Sequence, residues 1–142
     1  MSLVYNRHAY RLQHHDFNPA GTIKMMLTDA GYTPNRDHNV VTDVTNEITT
    51  INYSRKTVAG STVTEDDTND RSGWTVSPVT WAAIGNSTQT ARWAVAYEDL
   101  GGADSANPLI AAFDISAPTG QLLDGNDLTV TPQSAGLVTA ST

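Results

Sequence analysis

No cysteine occurs among the 142 residues, so disulfides, thiolate metal sites and cysteine nucleophiles are excluded together. Basic residues are also scarce, with eight Lys and Arg against fifteen Asp and Glu and a net charge of −7. Binding a nucleic-acid duplex needs clustered cations that displace counterions from phosphates. Here the nearest approach to a cluster is Arg55-Lys56, while Arg36 and Arg71 stand isolated among acids. Nucleic acid is therefore not an expected partner. No apolar run approaches the ~20 residues that a spanning helix needs. The first residues also lack the charged, apolar and small-residue order of a signal peptide. The expectation is a soluble protein with no membrane partner and no export by an ordinary signal.

The patterns that carry common chemistries are missing as well. There is no Gly-x-Ser-x-Gly elbow, and no serine is flagged by a nearby histidine. Gly101-Gly102 has neither the Walker spacing nor a following Lys-Ser/Thr. His14-His15-Asp16 offers imidazole and carboxylate, which suit zinc, but no spaced His-Glu-x-x-His partner follows. His8, His14, His15 and His38 all fall in the first third of the chain, where exposed polar residues on an arm account for them. Glu65-Asp66-Asp67-Thr68-Asn69-Asp70 is the densest acidic run. No register of it supplies the alternate acids, sixth-position glycine and twelfth-position glutamate of an EF-hand, so a solvated loop is expected. Asn52-Tyr53-Ser54 and Asn86-Ser87-Thr88 match the glycosylation pattern by chance. No catalytic residue, cofactor or metal ligand is assigned.

What the chain has is alternation. A chain of this length forms one domain and buries roughly two-thirds of its unfolded surface. Side chains in a strand alternate with period two. In Thr90–Glu98 that rule puts Ala91, Trp93, Val95 and Tyr97 on one face, and Thr90, Arg92 and Glu98 on the other. It likewise groups Leu109, Ala111, Phe113 and Ile115 opposite Asp114. Further strands are expected at Thr22–Thr28, in Tyr53–Thr64, and at Trp74–Val76, Val79–Ile84 and Leu128–Thr131. Gly60-Ser61, Gly85-Asn86, Gly101-Gly102, Thr119-Gly120 and a hairpin turn at Asp124-Gly125 punctuate them. Val40, Val41, Val44 and Ile48 repeat at helical spacing behind Asp37 or Asn39 as N-cap, which predicts one short helix over about 38–48.

The fold class expected is mainly β: an antiparallel β-sandwich or jelly-roll-like barrel with one short helix. Residues 1–20 read as an N-terminal arm and residues 21–142 as a single β domain with a C-terminal tail. Trp81, Trp93, Tyr97 and Phe113 are the expected core. Trp74, between Gly73 and Thr75, is equally suited to the core and to an aromatic platform for sugar or peptide. Tyr5, Tyr10 and Phe17 are candidate assembly contacts, because aromatics are enriched at interfaces. A strand or helix packed on its own domain is the alternative for this segment.

The order of several segments resembles small tailed-phage structural proteins. These are Thr22-Ile23-Lys24-Met25-Met26-Leu27, Tyr32-Thr33-Pro34-Asn35 with Asp37-His38, and Thr57-Val58-Ala59-Gly60-Ser61-Thr62-Val63-Thr64. Val79-Thr80-Trp81, Ala94–Gly101, Leu109-Ile110-Ala111 with Asp114, and Gly125-Asn126-Asp127-Leu128-Thr129-Val130 follow in the same order. Where that family ends in an aromatic strand and a Gly-Ile-Phe-like terminus, this chain runs Thr131-Pro132-Gln133-Ser134-Ala135-Gly136-Leu137-Val138. The resemblance implies a virion component without enzymatic activity or cofactor.

Within a virion, a capsid decoration or cement protein is the expectation, made in the host cytoplasm and seated on the capsid surface. Its partners would be the major capsid protein and its own copies, since a cyclic trimer matches the local threefold points of an icosahedral shell. A tail or head–tail junction component is one alternative. A host-surface carbohydrate-binding module is the other, using Trp74 and calcium at Glu65–Asp70.

Overall fold

The computed structural model describes residues 2–14, 16–68, 71–115 and 120–132. Among the described residues, eleven strands and one α-helix follow one another. β1 (Ser2–Val4) and α1 (Asn6–Gln13) come first, then β2 (Ile23–Thr28), β3 (Lys56–Thr57), β4 (Thr62–Asp66), β5 (Arg71–Thr75) and β6 (Val79–Trp81). β7 (Gly85–Ala91), β8 (Trp93–Glu98), β9 (Leu109–Asp114), β10 (Gln121–Asp124) and β11 (Leu128–Val130) complete the set. The fold is mainly β, and among the described residues the strand pairs are antiparallel and no sheet closes into a barrel.

The central sheet has the order β1-β9-β8-β2-β3. β2 pairs with β8 from Ile23↔Glu98 to Thr28↔Trp93, and β9 takes the other edge of β8. Alternation then sorts side chains to two faces. Ile23, Met25, Leu27, Ala94, Ala96, Ala111 and Phe113 enter one core, which Trp81, Ile84, Leu123 and Val130 from the smaller sheets complete. Met26, Val95, Tyr97 and Ala112 enter a second core, covered by Tyr5, Tyr32 and Val41. This is a sandwich-like arrangement with a second, smaller layer of cover.

The expected single strand Thr90–Glu98 is two strands. Arg92 interrupts it: its N–H donates to Thr28 O at 2.7 Å, and its carbonyl accepts from Ile115 N at 3.1 Å. The chain thereby leaves the β7–β10 ribbon and enters the central sheet, so Ala91 and Trp93 face different cores. A bulge at Ile110 likewise reverses the phase of β9. Tyr97 pairs with Leu109 while Ala96 pairs with Ala111, which puts Leu109 and Ala111 on opposite sides.

Asp124-Gly125 is not a hairpin turn either. β10 pairs with β7 and β11 with β6, so the two segments form one bent antiparallel ribbon with its corner at Gly85 and Gly125. Gly85 has φ +91°, and a Cβ there would lie 2.2 Å from Leu123 O, so only glycine fits.

The helix is also elsewhere than the valine spacing predicts. Val41–Asp43 is a single 3-10 turn, because the Asp43 carboxylate accepts from the backbone N–H of Asn39 (2.8 Å) and Val40 (3.1 Å). Val41 and Ile48 then part to different cores, and Asn46 at φ 58° ends any helical path between them. α1 lies instead at 6–13. Its first N–H is satisfied by Arg36 O at 2.9 Å, and no side chain caps it.

Trp81 is the largest fully buried side chain, and its Nε1–H donates to Ser54 O at 2.7 Å. Trp93 is only half-buried, beneath the Arg92 guanidinium at 4.5 Å from its ring centroid. Trp81→Ala is expected to cost about 3–5 kcal/mol, with Trp93→Ala costing clearly less. Urea-unfolding midpoints of the two variants check the order; equal losses would contradict the assignment of Trp81 to the deeper site.

Candidate functional site

The N-terminal segment is built into the domain rather than extended from it. β1 pairs with the free edge of β9, Ser2↔Phe113 through Val4↔Ala111. Tyr5 is fully buried, and its hydroxyl bonds the Tyr32 hydroxyl at 2.8 Å, which in turn reaches His38 Nδ1 at 3.0 Å. Burial, chiefly, raises the pKa of both tyrosines, so both hydroxyls stay protonated. Asn6 adds a bond from Nδ2 to Asp37 Oδ1 at 3.0 Å. Phe17 is buried against the edge of Trp74, centroids 6.3 Å apart.

Tyr5 and Phe17 are therefore spent within their own chain, and cannot serve as contacts with a neighbour while this packing holds. Tyr10, 50% exposed, remains available. Of the expected core, Trp81, Tyr97 and Phe113 are buried and Trp93 is half-buried. Trp74 is 4% exposed with its Nε1–H on Ser61 Oγ at 2.7 Å, so its ring offers no platform to a sugar.

Beneath α1 lies the most unusual group of side chains. Arg11 and Glu98 form a buried ion pair that joins the helix to the end of β8, and Arg11 also donates to Asp16 O at 2.7 Å. His8, one turn earlier, is 1% exposed and sits edge-on to Phe17 at 4.6 Å. Among the described residues, neither ring nitrogen of His8 has a hydrogen-bond partner. Burial, and then the Arg11 charge, push its pKa down to about 4. His8 is thus buried rather than on an exposed arm, whereas His14 is exposed as expected; only the i, i+3, i+4 spacing of His8, Arg11 and Leu12 hints that they share the inward face.

Further ion pairs among the described residues tie segments together. Arg55 donates Nε and Nη2 to Glu47 (2.8 and 2.7 Å) and Nη1 and Nη2 to Asp104 (2.7 and 3.0 Å). Tyr53 Oη donates to the same Glu47 at 2.7 Å and accepts from Leu27 N at 3.1 Å. The Arg55 hydrogen bonds hold the Asp104 carboxyl below its ordinary pKa. Lys24 and Asp99 pair at 2.6 Å, and that bond lowers the Asp99 pKa in turn. Arg92 grips Asp114 in a two-pronged pair.

Tyr32–His38 is the nearest approach to a base beside a hydroxyl, but Tyr32 is buried and its hydroxyl already engaged, so the pair acts as a tie. The expected loop over Glu65–Asp70 is shorter than that, because Glu65 and Asp66 pair with Ser72 and Arg71 in β4–β5; Glu65 and Asp67 are exposed, while 69 and 70 lie outside the described residues, as does His15. Among the described residues, no three His, Asp or Glu side chains converge as metal ligands would. No helix among them is long and apolar enough to cross a membrane.

The buried histidine makes stability depend on pH in a definite window. The unfolded chain protonates His8 near 6.5, whereas the folded chain resists protonation until about 4. Between those values the unfolded state binds more protons, so stability falls as pH drops from 6.5 towards 4, by about 3 kcal/mol at most. His8→Phe should remove this slope while keeping the packing on Phe17. Urea titrations at intervals across the window test it, and an unchanged slope in the variant would contradict the assignment. For the ion pair, Arg11→Met alone leaves Glu98 buried and unpaired and should cost about 3 kcal/mol or more. Arg11→Met with Glu98→Leu should recover most of that loss in the same measurement.

No protein-family model, curated protein or solved structure matches the chain.

Proposed function

We propose that the chain is a non-enzymatic structural component of a tailed-phage virion, in the first place a capsid decoration protein that binds and stabilises the major capsid shell. The observation that carries this reading is how the charged side chains are used. Arg11–Glu98 and Arg55–Asp104 fasten segments far apart in sequence, while Arg55–Glu47 and Arg92–Asp114 tie nearer ones. Acids and bases spent on cross-links are not free to move protons on a substrate. The arrangement suits a rigid part that works by contact.

The resemblance to phage structural proteins supports the same reading. Its segments Thr22–Leu27, Ala94–Gly101 and Leu109–Ala111 supply β2, β8 and the start of β9, the centre of the main sheet. On a shell, many copies each add modest contact area, and simultaneous engagement of several sites makes the sum tight. A homotrimer on the local threefold points, without cofactor, nucleic acid or membrane, is the assembly that fits this role. The tail or head–tail junction would use the same rigid domain in far fewer copies.

Quantitative mass spectrometry of purified particles of the encoding phage tests the proposal, as copies of this chain per copy of the major capsid protein. A ratio near one, or a simple fraction of it, is expected. A handful of copies would move the chain to the tail or junction, and absence from the particle would overturn the virion reading.

A further inference from the structure

The N-terminal segment is attached to two cores that are built almost wholly without it. Among the buried hydrophobic side chains, Tyr5 alone comes from residues 2–13; Leu3, Val4 and Leu12 pack on the cores only from their margins. β9, β8, β2 and β3 are paired in sequence across the sheet, so removing β1 breaks none of their ladders. The ties that hold the segment all run outward from it. β1 lies on the outer edge of β9, Tyr5 N–H donates to Ile110 O at 3.2 Å, and Asn6 N–H donates to Arg36 O at 2.9 Å. Tyr5–Tyr32, Asn6–Asp37 and Arg11–Glu98 add the side-chain bonds. α1 itself has eight residues, no side-chain cap and no acid in its first turn, so it draws little stability from within. A peripheral unit of this kind opens at a lower cost than the domain unfolds.

One member of the attachment depends on a proton. His8 is buried against the edge of Phe17, and among the described residues neither ring nitrogen has a partner. A proton added there would place a cation in an apolar site with no acceptor. The charged groups around it cannot help. Arg11, one turn along the same helix, is a second cation, and the Glu98 carboxylate at the end of β8 is already bonded to Arg11. Asp16, in the loop after α1, has its side chain in solvent. β9, on which α1 packs, carries no charge except Asp114, which Arg92 holds. In the released segment the same imidazole is free in water and takes up a proton at its ordinary pKa.

We infer that residues 2–13 form a strap released by acid: protonation of His8 frees β1 and α1 together while the remainder of the domain stays folded. Phe17, buried beside Trp74, marks where the chain remains attached. Release uncovers the outer edge of β9 at Ala111–Phe113 and removes Tyr5 from the second core. An unpaired strand edge is a site where extended backbone can add, so acid changes what this surface offers to other chains. The inference concerns the isolated chain and stands without the virion reading, so either can fail alone.

The linkage has a definite sign and size. The attached segment binds the proton only near pH 4 and the released one near 6.5, so release becomes easier as pH falls between those values. From pH 7 to pH 5 the equilibrium constant for release should rise about twentyfold. Hydrogen exchange of the full chain, corrected for the direct effect of pH on exchange, reads this constant. Protection of the Tyr5 and Asn6 amides is expected to fall about twentyfold over that range, while amides of β2 and β8 keep theirs. His8→Phe should leave protection of the segment independent of pH, and His8→Leu serves the same comparison should the ring not be accommodated. Near-ultraviolet circular dichroism at pH 7 shows which variant is folded. Constant protection of the wild-type segment overturns the inference. Equal losses in the segment and in β2 and β8 overturn local release, because the proton then acts only through unfolding of the whole domain. A twentyfold fall that persists in the His8 variants overturns the assignment to His8 and moves it to another group, Glu98 first.

Discussion

β8 is buried on both faces, and most of the architecture follows from covering it twice. Ala94 and Ala96 face one core while Val95 and Tyr97 face the other. The alanines are small enough for the layer above to approach closely, so Trp81 from β6 can fill the space between sheets. The opposite face carries the larger side chains and needs less backbone above it. The loop bearing Tyr32 and Val41, with Tyr5, suffices there. A central strand without polar faces cannot be left at an edge, which fixes β2 and β9 on either side of it. Those two strands then need edges of their own covered, by β3 and β1.

The end of β8 explains why the N-terminal segment is held so firmly. Glu98 continues the phase of Ala94 and Ala96 and therefore points into the first core, where a lone carboxylate would be costly. Arg11 reaches it only because α1 lies across that end of the sheet, and α1 lies there because β1 is paired to β9 and Tyr5 is hydrogen-bonded to Tyr32. The ties are mutually dependent. His8 is the weak member: it fills space beside Phe17 without satisfying either ring nitrogen, and so favours the neutral form. The segment is strongly attached near neutrality and less so in acid, from the same geometry.

Much of the central sheet was legible from alternation alone. Ile23, Met25 and Leu27 against Lys24 marked β2, and Trp81 announced itself as core by its size and neighbours. What alternation could not show was where a strand changes sheet. Thr90–Glu98 keeps perfect period two across Arg92, yet the break there depends on a hydrogen bond to Thr28, sixty-odd positions earlier in the chain. The bulge at Ile110 is equally invisible, since both phases of that strand are apolar. The helix failed for a different reason. Local side-chain bonds from Asp43 outcompeted a valine pattern, while α1 has an inward face of His8, Arg11 and Leu12 that reads as polar. Its burial is decided by Glu98, distant in sequence, and no local pattern carries that information.

These partners also bear on how the protein can act. A charged side chain used to join two segments has most of its donors or acceptors engaged, as the four Arg55 bonds show. Such a group holds the two segments together and has less capacity left for a ligand. Chemistry available to other molecules then comes more readily from side chains that the ties leave outside. On α1 these are Arg7, Tyr10 and His14, exposed and stacked on one another, and held in register by the helix and by the buried face beneath it. The rigidity matters for contact, because an ordered surface loses less entropy on docking than a mobile one. Internal ion pairs and an exposed, preorganised helix face are two sides of one design: the first fixes the second in place, and the strength of any contact made by that face inherits the firmness of the Arg11–Glu98 anchor below it.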